Sequence, residues 1–337
     1  MDFFGLDIGS HNIKIVQLKK NKDKYQLMAF GSAPSTSRGL LSEAESDLNA
    51  IAEIIKKLYQ ETKIRTKNVV AALPQDQVFT RLVTFPPLSE QELESALKWE
   101  AEQYIPLPLE EVSLTYEVVG KVRENSQEKM EVLLAAAPKN LIEKILRVLK
   151  IAGLNAVSLE MEITALARSL VSSDSQSVLI VDLGAKATDL AVVEGGQIIF
   201  VHSIAVAGEA LTRALSLELG LEPLQAEAYK KAYGVDTEKL EGKVSAALQP
   251  ILETIIKEIE KTIHFYLKRE KSIQRIILAG GSAQLPEVST ILAKRINLEV
   301  QIGNPFSQVA GNDLIAKVPP SDVSLYAIAV GLAMKEM

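Results

Sequence analysis

The strongest constraint on the fold is a strand–turn–strand pattern that occurs twice, once in each half of the chain. Near the middle, the apolar run Val178–Val181 enters a turn at 182–185, and a second apolar run, Leu190–Val193, leaves it. The segment Phe4–Leu18 has the same organisation, with an Asp-x-Gly turn of the same spacing at 7–9. Short apolar runs bounded by such turns are typical of buried β-hairpins. The duplication predicts two lobes that hold one ligand between them.

The composition permits two lobes and excludes several kinds of site. A chain of 337 residues can bury a large core. Its net charge of −6 argues against nucleic acid as a partner, because phosphate backbones attract basic surfaces. The absence of cysteine excludes disulfides, thiolate zinc sites and iron–sulfur clusters. No signal peptide is visible, and the longest apolar stretch, Val323–Met334, is too short to cross a membrane, so we expect a cytoplasmic protein without direct membrane insertion.

The order of predicted elements divides the chain into five segments. Residues after Pro74 follow the order strand–helix–strand–strand–helix, and a capping box at Ser89 and Glu92 begins the first of these helices. This order predicts a small α+β module inserted into the first lobe. The predicted segments are the first lobe (1–74), the inserted module (75–153), the first lobe continued (154–176), the second lobe with its helical subdomain (177–311), and a return helix that packs on the first lobe (312–337).

Three glycine turns carry the candidate chemistry. They are 7–10, 182–185 and 280–282, and each follows an apolar strand. Glycine lets the backbone approach a ligand closely, and the exposed N–H groups then attract an anion. One such turn alone is better explained as an ordinary hairpin turn. Three in this order indicate a phosphate-containing ligand.

Side chains near these turns refine the prediction. Asp7 and Asp182 would repel a phosphate unless a cation lay between them, so they predict Mg²⁺ held largely through its waters. Lys14 is expected to reach a phosphate from the first turn, and Thr188 to donate a hydroxyl from the second.

The turns resemble those of a known superfamily. The order DIGS, VDLGAKATDL, LAGGSAQLP is similar to that of the actin-like ATPases, and the resemblance covers the whole chain. It implies an α/β fold with two lobes around a cleft that binds ATP and Mg²⁺. Glu227 and Lys230 occupy an AE-x-x-K motif that approaches the ribose in relatives. Glu162, in EITALA, stands where relatives carry a hydrolytic glutamate or the residue next to it, although the proline usual after it is Ile163 here. The further nucleotide-binding positions that the resemblance implies are Gly9, Ser10, His11, Asn12, Lys14, Gly184, Ala185, Lys186, Thr188, Gly208, Glu209, Gly280, Gly281 and Ser282.

The inserted module resembles one branch of this superfamily. LKWEAEQYIPLPLEEV (Leu97–Val112) and EIEKTIHFYL (Glu258–Leu267) are similar to signatures of the PilM family of type IV pilus assembly proteins. PilM relatives bind the short cytoplasmic tail of PilN, a bitopic inner-membrane protein, between the inserted module and the first lobe. Trp99, Tyr104 and Ile105 in the first signature suit either core packing or contact with a partner.

The resemblance implies a protein that acts by binding a nucleotide and a partner protein. It implies an ATP-binding scaffold in which nucleotide closes the lobes and sets the affinity for the PilN tail, with at most slow ATP hydrolysis. The protein would lie at the inner membrane through its partner, alongside other pilus assembly components, and self-association is left open.

Two alternatives use the same cleft. A small-molecule kinase would need a carboxylate base, for which Glu160 and Glu162 are the candidates. A membrane-associated filament former like FtsA would carry an amphipathic helix at its carboxyl end, and the sequence to Met337 shows no such helix.

Overall fold

Two large β-sheets with the same internal order form the two lobes. The computed structural model describes residues 1–21, 24–36, 38–124, 127–172, 176–268, 271–311 and 313–336. The strands are β1 (Phe4–Ile8), β2 (Asn12–Asn21), β3 (Lys24–Pro34), β4 (Asn68–Leu73), β5 (Phe79–Phe85), β6 (Val112–Glu124), β7 (Gln127–Pro138), β8 (Asn155–Met161), β9 (Val178–Leu183), β10 (Thr188–Glu194), β11 (Gln197–Ile204), β12 (Arg275–Ala279), β13 (Glu299–Ile302) and β14 (Val309–Ala310).

The sheets repeat one topology. The first sheet has the order β14-β3-β2-β1-β4-β8 and the second has the order β11-β10-β9-β12-β13. In the first sheet β1, β2 and β3 form an antiparallel meander, and β4 and β8 run parallel to β1. In the second sheet β9, β10 and β11 form the same meander, and β12 and β13 run parallel to β9. The predicted duplication of a hairpin is therefore confirmed. Because β1 and β9 are the central strands of their sheets, the turns that follow them occupy equivalent positions in the two lobes.

Nine helices in the described ranges pack on these sheets. They are α1 (Glu45–Glu61), α2 (Glu90–Tyr104), α3 (Lys139–Ile151), α4 (Glu162–Leu170), α5 (Gly208–Leu219), α6 (Pro223–Tyr233), α7 (Lys243–Leu267), α8 (Val288–Ile296) and α9 (Ala327–Ala333). None of the helices that the structure describes is long and apolar enough to span a membrane. The return helix α9 packs on β1 and α4 of the first lobe, where Arg168 donates to the Gly331 carbonyl at 2.6 Å. The return helix predicted within 312–337 is α9, and it is short because a 3₁₀ segment over Pro320–Tyr326 precedes it.

The inserted module is a three-stranded antiparallel sheet, β5-β7-β6, covered on one face by α2. The predicted capping box at Ser89 is confirmed at the start of α2. Successive residues of β7 point to opposite faces. Leu134 packs in the module's own core, Leu133 in the core of the second lobe, and Ala135 in the core of the first lobe. The module therefore contacts both lobes.

One helix of the predicted module packs against the first lobe. Residues 75–153 are predicted to form the module, and α3 is the last helix of that range. Its buried side chains Ile145 and Leu149 belong to the same apolar cluster as Ile51 of α1. The apolar stripe of α3 is complementary to α1, so α3 attaches this range to the first lobe.

Two of the three apolar candidates in the first signature are exposed. Ile105 is buried in the core of the module, whereas the side chains of Trp99 and Tyr104 remain largely exposed. The ring of Tyr104 stacks on the guanidinium of Arg81, with 3.4 Å between the guanidinium carbon and the ring centroid. Core packing therefore accounts for Ile105 alone.

Candidate functional site

A cavity of about 470 Å³ lies between the two lobes. Its walls come from the turns after β1, β9 and β12, from α6, and from the carboxyl-terminal segment before α9. Of the predicted site residues, those that line it are Asp7, Gly9, Ser10, His11, Asn12, Lys14, Glu162, Asp182, Gly184, Ala185, Lys186, Gly208, Glu227, Lys230, Gly280, Gly281 and Ser282. The fold thus brings together three turns that are far apart in the sequence.

The two Asp-x-Gly turns have the same local shape. A Cβ atom at Gly9 would lie 2.8 Å from the Asn12 carbonyl oxygen, and one at Gly184 would lie 2.8 Å from the Ala187 carbonyl oxygen. These distances are too short for any side chain. Both turns therefore require glycine, and both present backbone at the cavity wall.

Asp7 and Lys14 form a buried ion pair on the floor of the cleft. They lie opposite each other in the β1–β2 register, and the Lys14 ammonium donates to Oδ2 of Asp7 at 2.9 Å. Burial opposes the charge on Lys14, but the attraction of Asp7 raises the lysine pKa above its usual value. The other oxygen of Asp7, Oδ1, is buried and accepts no hydrogen bond from the described residues. That oxygen is available to a cation or to ordered water.

More acids than bases converge beside this pair. Burial, followed by the charges of Asp189 and Asp7, raises the pKa of Asp182 to about 7. Burial also raises the pKa of Asp189 to about 6, and its Oδ1 accepts no hydrogen bond within the described ranges. The pKa of Glu162 is well above its ordinary value, because of burial and the charges of Asp7 and Asp189. Asp7, Asp182 and Glu162 therefore act on the buried Lys14, and Asp189 adjoins Asp182 and Glu162, so carboxyl groups outnumber cations here and repel one another.

A hydrated cation fits this environment better than a directly coordinated one. Among the described residues, no group of three or more acidic, histidine or cysteine side chains is arranged to hold a metal ion directly. Mg²⁺ keeps several waters when protein carboxylates bind it. The unpartnered oxygens of Asp7 and Asp189 are suitable acceptors for such waters.

Glu162 is the first residue of α4, and the backbone holds it at the cavity. Its Oε2 accepts a hydrogen bond from the Gln75 N–H at 2.9 Å. Glu160, the alternative kinase base, is placed differently. It is ion-paired with Arg168 at 2.9 Å and with Lys335. Because these two cations hold its pKa below the usual value despite burial, Glu160 is unsuited to act as a base.

The structure places the Thr188 hydroxyl, predicted as a ligand contact, away from the cavity. Its side chain is fully buried, it does not line the cavity, and its hydroxyl donates to the Val206 carbonyl at 2.7 Å. The first residue of β10 faces the interior of the second lobe, so this hydroxyl anchors the segment before α5.

The glycine turn after β12 touches the second Asp-x-Gly turn. Gly280 has φ of +80°, and a Cβ atom there would lie 2.3 Å from Oδ1 of Asp182. The amino end of α5 joins the same contact, since the Gly208 N–H donates to the Gly184 carbonyl at 3.1 Å. Ser282 packs on Gly208 from the other side. These close approaches pack the second Asp-x-Gly turn and the turn after β12 together at one corner of the cavity.

The AE-x-x-K motif stabilises this corner. The Lys230 ammonium is buried and donates to the Gly208 carbonyl at 2.9 Å, to the Thr212 hydroxyl at 2.8 Å, and to Glu227 at 2.6 Å. Burial lowers the pKa of Lys230 more than Glu227 raises it. Burial opposes the charge on Glu227, but hydrogen bonds from Lys230 and Thr212 hold its pKa at about 2. The motif thus orients α5 and α6 at the cavity wall.

We expect Glu227→Gln to destabilise the protein by about 1–3 kcal/mol, because it leaves the buried Lys230 without its counter-charge. The folded pKa of Glu227 is depressed, so its contribution is present above the unfolded pKa and is lost as the pH falls toward about 2. Urea unfolding at pH 7 measures the effect. Lys231→Gln is the matched control, since Lys231 contacts the same carboxylate at 3.2 Å but is exposed. Equal losses in the two variants would contradict the assignment.

A polar contact joins the lobes at the mouth of the cleft. Nε2 of His11, in the first turn, lies 3.1 Å from Oε1 of Glu209, at the amino end of α5. Glu209 itself is outside the cavity lining, although its N–H donates to the Ala185 carbonyl at 2.7 Å. The two predicted residues therefore meet across the cleft, with Glu209 at its rim.

The sequence did not single out several residues that line the cavity. Asp189 carried a usable signal, because an acid inside an apolar strand is unusual and therefore informative. Asp76 follows β4 and the carboxyl-terminal residues Asp322 and Leu325 enter from the far end of the chain. Arg38 enters from the loop after β3. None of these last four belongs to a motif, so no local pattern indicated them.

Comparisons with known proteins identify relatives over the whole chain. The family model described as type IV pilus assembly protein PilM matches residues 5–337. The solved PilM-PilN type IV pilus biogenesis complex is similar with a TM-score of 0.83 and 28% identity, covering 99% of this chain and 98% of that one. MreB5 of Spiroplasma citri bound to AMPPNP is similar in fold, with a TM-score of 0.52, 16% identity, and coverage of 98% and 94%. The cell division protein FtsA of Streptococcus pneumoniae is 22% identical over 357 residues, which span 94% of this chain and 78% of FtsA.

Proposed function

The chain belongs to the PilM family of type IV pilus assembly proteins and has the actin-like ATPase fold, and from the geometry of its cleft we propose that it is an ATP-binding scaffold. In this proposal it serves the inner-membrane platform that assembles a type IV pilus or a related pseudopilus. Closure of the lobes on nucleotide sets its affinity for the cytoplasmic tail of a PilN-like membrane protein.

One observation carries the nucleotide part of the proposal. Two identically shaped glycine turns from opposite lobes, at Gly9 and Gly184, meet at one cavity of about 470 Å³. That volume is in the range of small-molecule and cofactor sites. Backbone turns facing each other across a cleft suit a chain of phosphates, because N–H groups from both lobes can contact one ligand. MreB5, a relative of the same fold, is described as bound to AMPPNP.

The residues divide into a phosphate end and a nucleoside end. Lys14 and the Asp-x-Gly turns would hold the phosphates, and Asp7 and Asp182 would hold Mg²⁺ through its waters. Bound Mg²⁺ would supply the positive charge that the four clustered carboxyl groups lack. Glu227, Lys230 and the turn at 280–282 would surround the nucleoside. Glu162 would orient a water molecule, and we expect any hydrolysis to be slow.

The position of the inserted module supports coupling to a partner. Leu133 and Ala135, two residues apart on β7, contribute to the cores of the second and first lobes respectively. A change in the angle between the lobes would therefore alter the packing of the module. The similar solved structure is described as a PilM-PilN complex. We propose that the affinity for the partner tail depends on this packing. We also propose that the partner holds the protein peripherally at the inner membrane.

Two titrations test the proposal. Isothermal titration calorimetry measures Mg-ATP binding to the wild type and to Asp182→Asn. Fluorescence anisotropy then measures binding of a labelled peptide, taken from the cytoplasmic tail of the PilN-like protein, with Mg-ATP, with Mg-ADP and without nucleotide. We expect Mg-ATP to bind the wild type alone and to change its peptide affinity.

Lys57→Ala is the control, because this lysine lies exposed on α1. It should behave as the wild type in both titrations. Absence of Mg-ATP binding to the wild type would overturn the nucleotide proposal. Peptide affinity that is the same in all three nucleotide states would overturn the coupling.

A further inference from the structure

A second cavity adjoins the phosphate end of the cleft. It measures about 440 Å³ and is lined by Arg38, Lys186 and the segment 41–44. Arg38, Leu41 and Lys186 line both this cavity and the interlobe cleft. None of the residues at the nucleoside end, 227–230 and 280–282, lines the second cavity. The two cavities therefore join on the side away from the nucleoside end.

Two cations from opposite lobes line this junction. Arg38 lies in the loop between β3 and α1, and that loop lies over the first turn. The Ser35 N–H donates to the His11 carbonyl at 2.9 Å, and a Cβ atom at Gly39 would lie 3.9 Å from the Ser10 Cα. Lys186 is in the second Asp-x-Gly turn itself. The junction is thus bounded by Arg38, from the loop beside the first Asp-x-Gly turn, and by Lys186, within the second.

Neither cation is neutralised within the part of the chain that the structure describes. No ion pair or side-chain hydrogen bond joins either to a described residue, whereas Lys14 is paired with Asp7 and Lys230 with Glu227. Glu43, the acid that lines the second cavity, is paired with Lys144. Lys186 lies near enough to Asp76 to oppose the rise in the pKa of that acid, but the two form no ion pair. Two cations that form no ion pair and line one junction favour an anion at that junction.

We propose that Arg38 and Lys186 clamp the terminal phosphate of a nucleoside triphosphate, one from each lobe, so that the cleft distinguishes ATP from ADP. The inference rests on the proposed nucleotide function and adds the groups that detect the third phosphate. Guanidinium groups bind phosphate oxygens in pairs, and an ammonium acts as a point charge. A diphosphate would occupy the two turns without reaching the gap between the cations. The triphosphate alone would therefore join the lobes at this end.

Calorimetry with Mg-ATP and Mg-ADP tests the clamp in Arg38→Ala and Lys186→Ala. We expect each variant to lose about tenfold in ATP affinity, as for loss of one charge-assisted hydrogen bond, with no change in ADP affinity. Unchanged ADP affinity also shows that the variant is folded. Arg38→Lys should retain part of the ATP affinity, because it keeps the charge and loses the paired geometry. Lys57→Ala, which removes a charge on α1, should leave both affinities unchanged.

The possible failures are distinguishable. If the wild type binds neither nucleotide, the proposed function fails and the clamp fails with it. If the wild type binds both nucleotides and the variants lose ATP and ADP affinity equally, or lose neither, the clamp alone is overturned. Titration of inorganic phosphate without nucleotide separates the two sources of the anion. Phosphate binding to the wild type that both variants abolish, with ATP affinity unchanged in those variants, would assign the junction to a free anion and would overturn the clamp.

Discussion

Asp182→Asn should abolish Mg-ATP binding and, at pH 8, make the nucleotide-free protein more stable. Asp182 is buried at the end of β9, close to Asp7 and Asp189. In the absence of a cation its charge is poorly solvated and is repelled by its neighbours. When Mg²⁺ is bound, the same charge attracts the ion and is stabilised by it. Asparagine keeps the shape of the side chain and removes the charge. Opposite effects on binding and on stability are therefore expected from one substitution.

The pH dependence follows from the direction of the pKa shift. The folded pKa of Asp182, about 7, lies above its ordinary value of 3.8. The folded state therefore binds more protons than the unfolded state between these values, and the stability of the wild type falls as the pH rises through that window. A shift of this size corresponds to an upper limit of about 4 kcal/mol, part of which the neighbouring carboxyl groups share. The gain from Asp182→Asn should thus be large at pH 8 and small at pH 5.

Urea unfolding at both pH values, together with calorimetry of Mg-ATP, measures these effects. Asp313→Asn provides the control, since Asp313 is exposed and lies outside the cavity. It should change neither stability nor binding. A variant at Asp182 that is less stable than the wild type at pH 8, or that binds Mg-ATP normally, would show that the acid has a structural role alone.

Gly280→Ala should destabilise the protein by about 3 kcal/mol or more, because the new Cβ atom meets two obstacles and a strained backbone. It would lie 2.3 Å from Oδ1 of Asp182 and 2.6 Å from the Leu183 carbonyl oxygen. The backbone at Gly280 has φ of +80°, which L-residues rarely adopt. Relief of these contacts requires movement of the second Asp-x-Gly turn, so nucleotide affinity should fall as well.

The neighbouring glycine gives a matched comparison. A Cβ atom at Gly281 would lie 3.6 Å from the Leu325 side chain, which is an ordinary contact, and φ at Gly281 is not positive. Gly281→Ala should therefore leave the urea midpoint close to that of the wild type. Equal midpoints for the two alanine variants would contradict the tight packing inferred at Gly280.

The order of the elements and the shape of the turns could be predicted from the sequence, because each depends on a few adjacent residues. Apolar runs ending in Asp-x-Gly predicted β1 and β9, and Ser89 with Glu92 predicted the start of α2. The duplicated pattern also predicted that two lobes would share one site. Short edge strands such as β14, with two residues, carry too little periodicity to be recognised in this way.

The partners of side chains could not be predicted, because they depend on residues distant in the chain. A threonine after a turn suits a ligand or a backbone carbonyl equally well, and only the position of Val206 decided that Thr188 binds the carbonyl. The apolar stripe of α3 fits a module or a lobe, and packing against α1 decided for the lobe. Glu160 and Glu162 are two residues apart, yet Arg168 and Lys335 neutralise the first while the second faces the cleft.

The sequence by itself thus determined the duplicated Asp-x-Gly turns, which are local, and the expectation that both turns face one site. The tertiary structure alone decided which charges are compensated. Arg38 and Lys186 are separated by more than a hundred residues and have no motif in common, but the packing of two lobes places both at one junction. Electrostatic energy depends on distance in space and on burial, and neither quantity is encoded in a short stretch of chain.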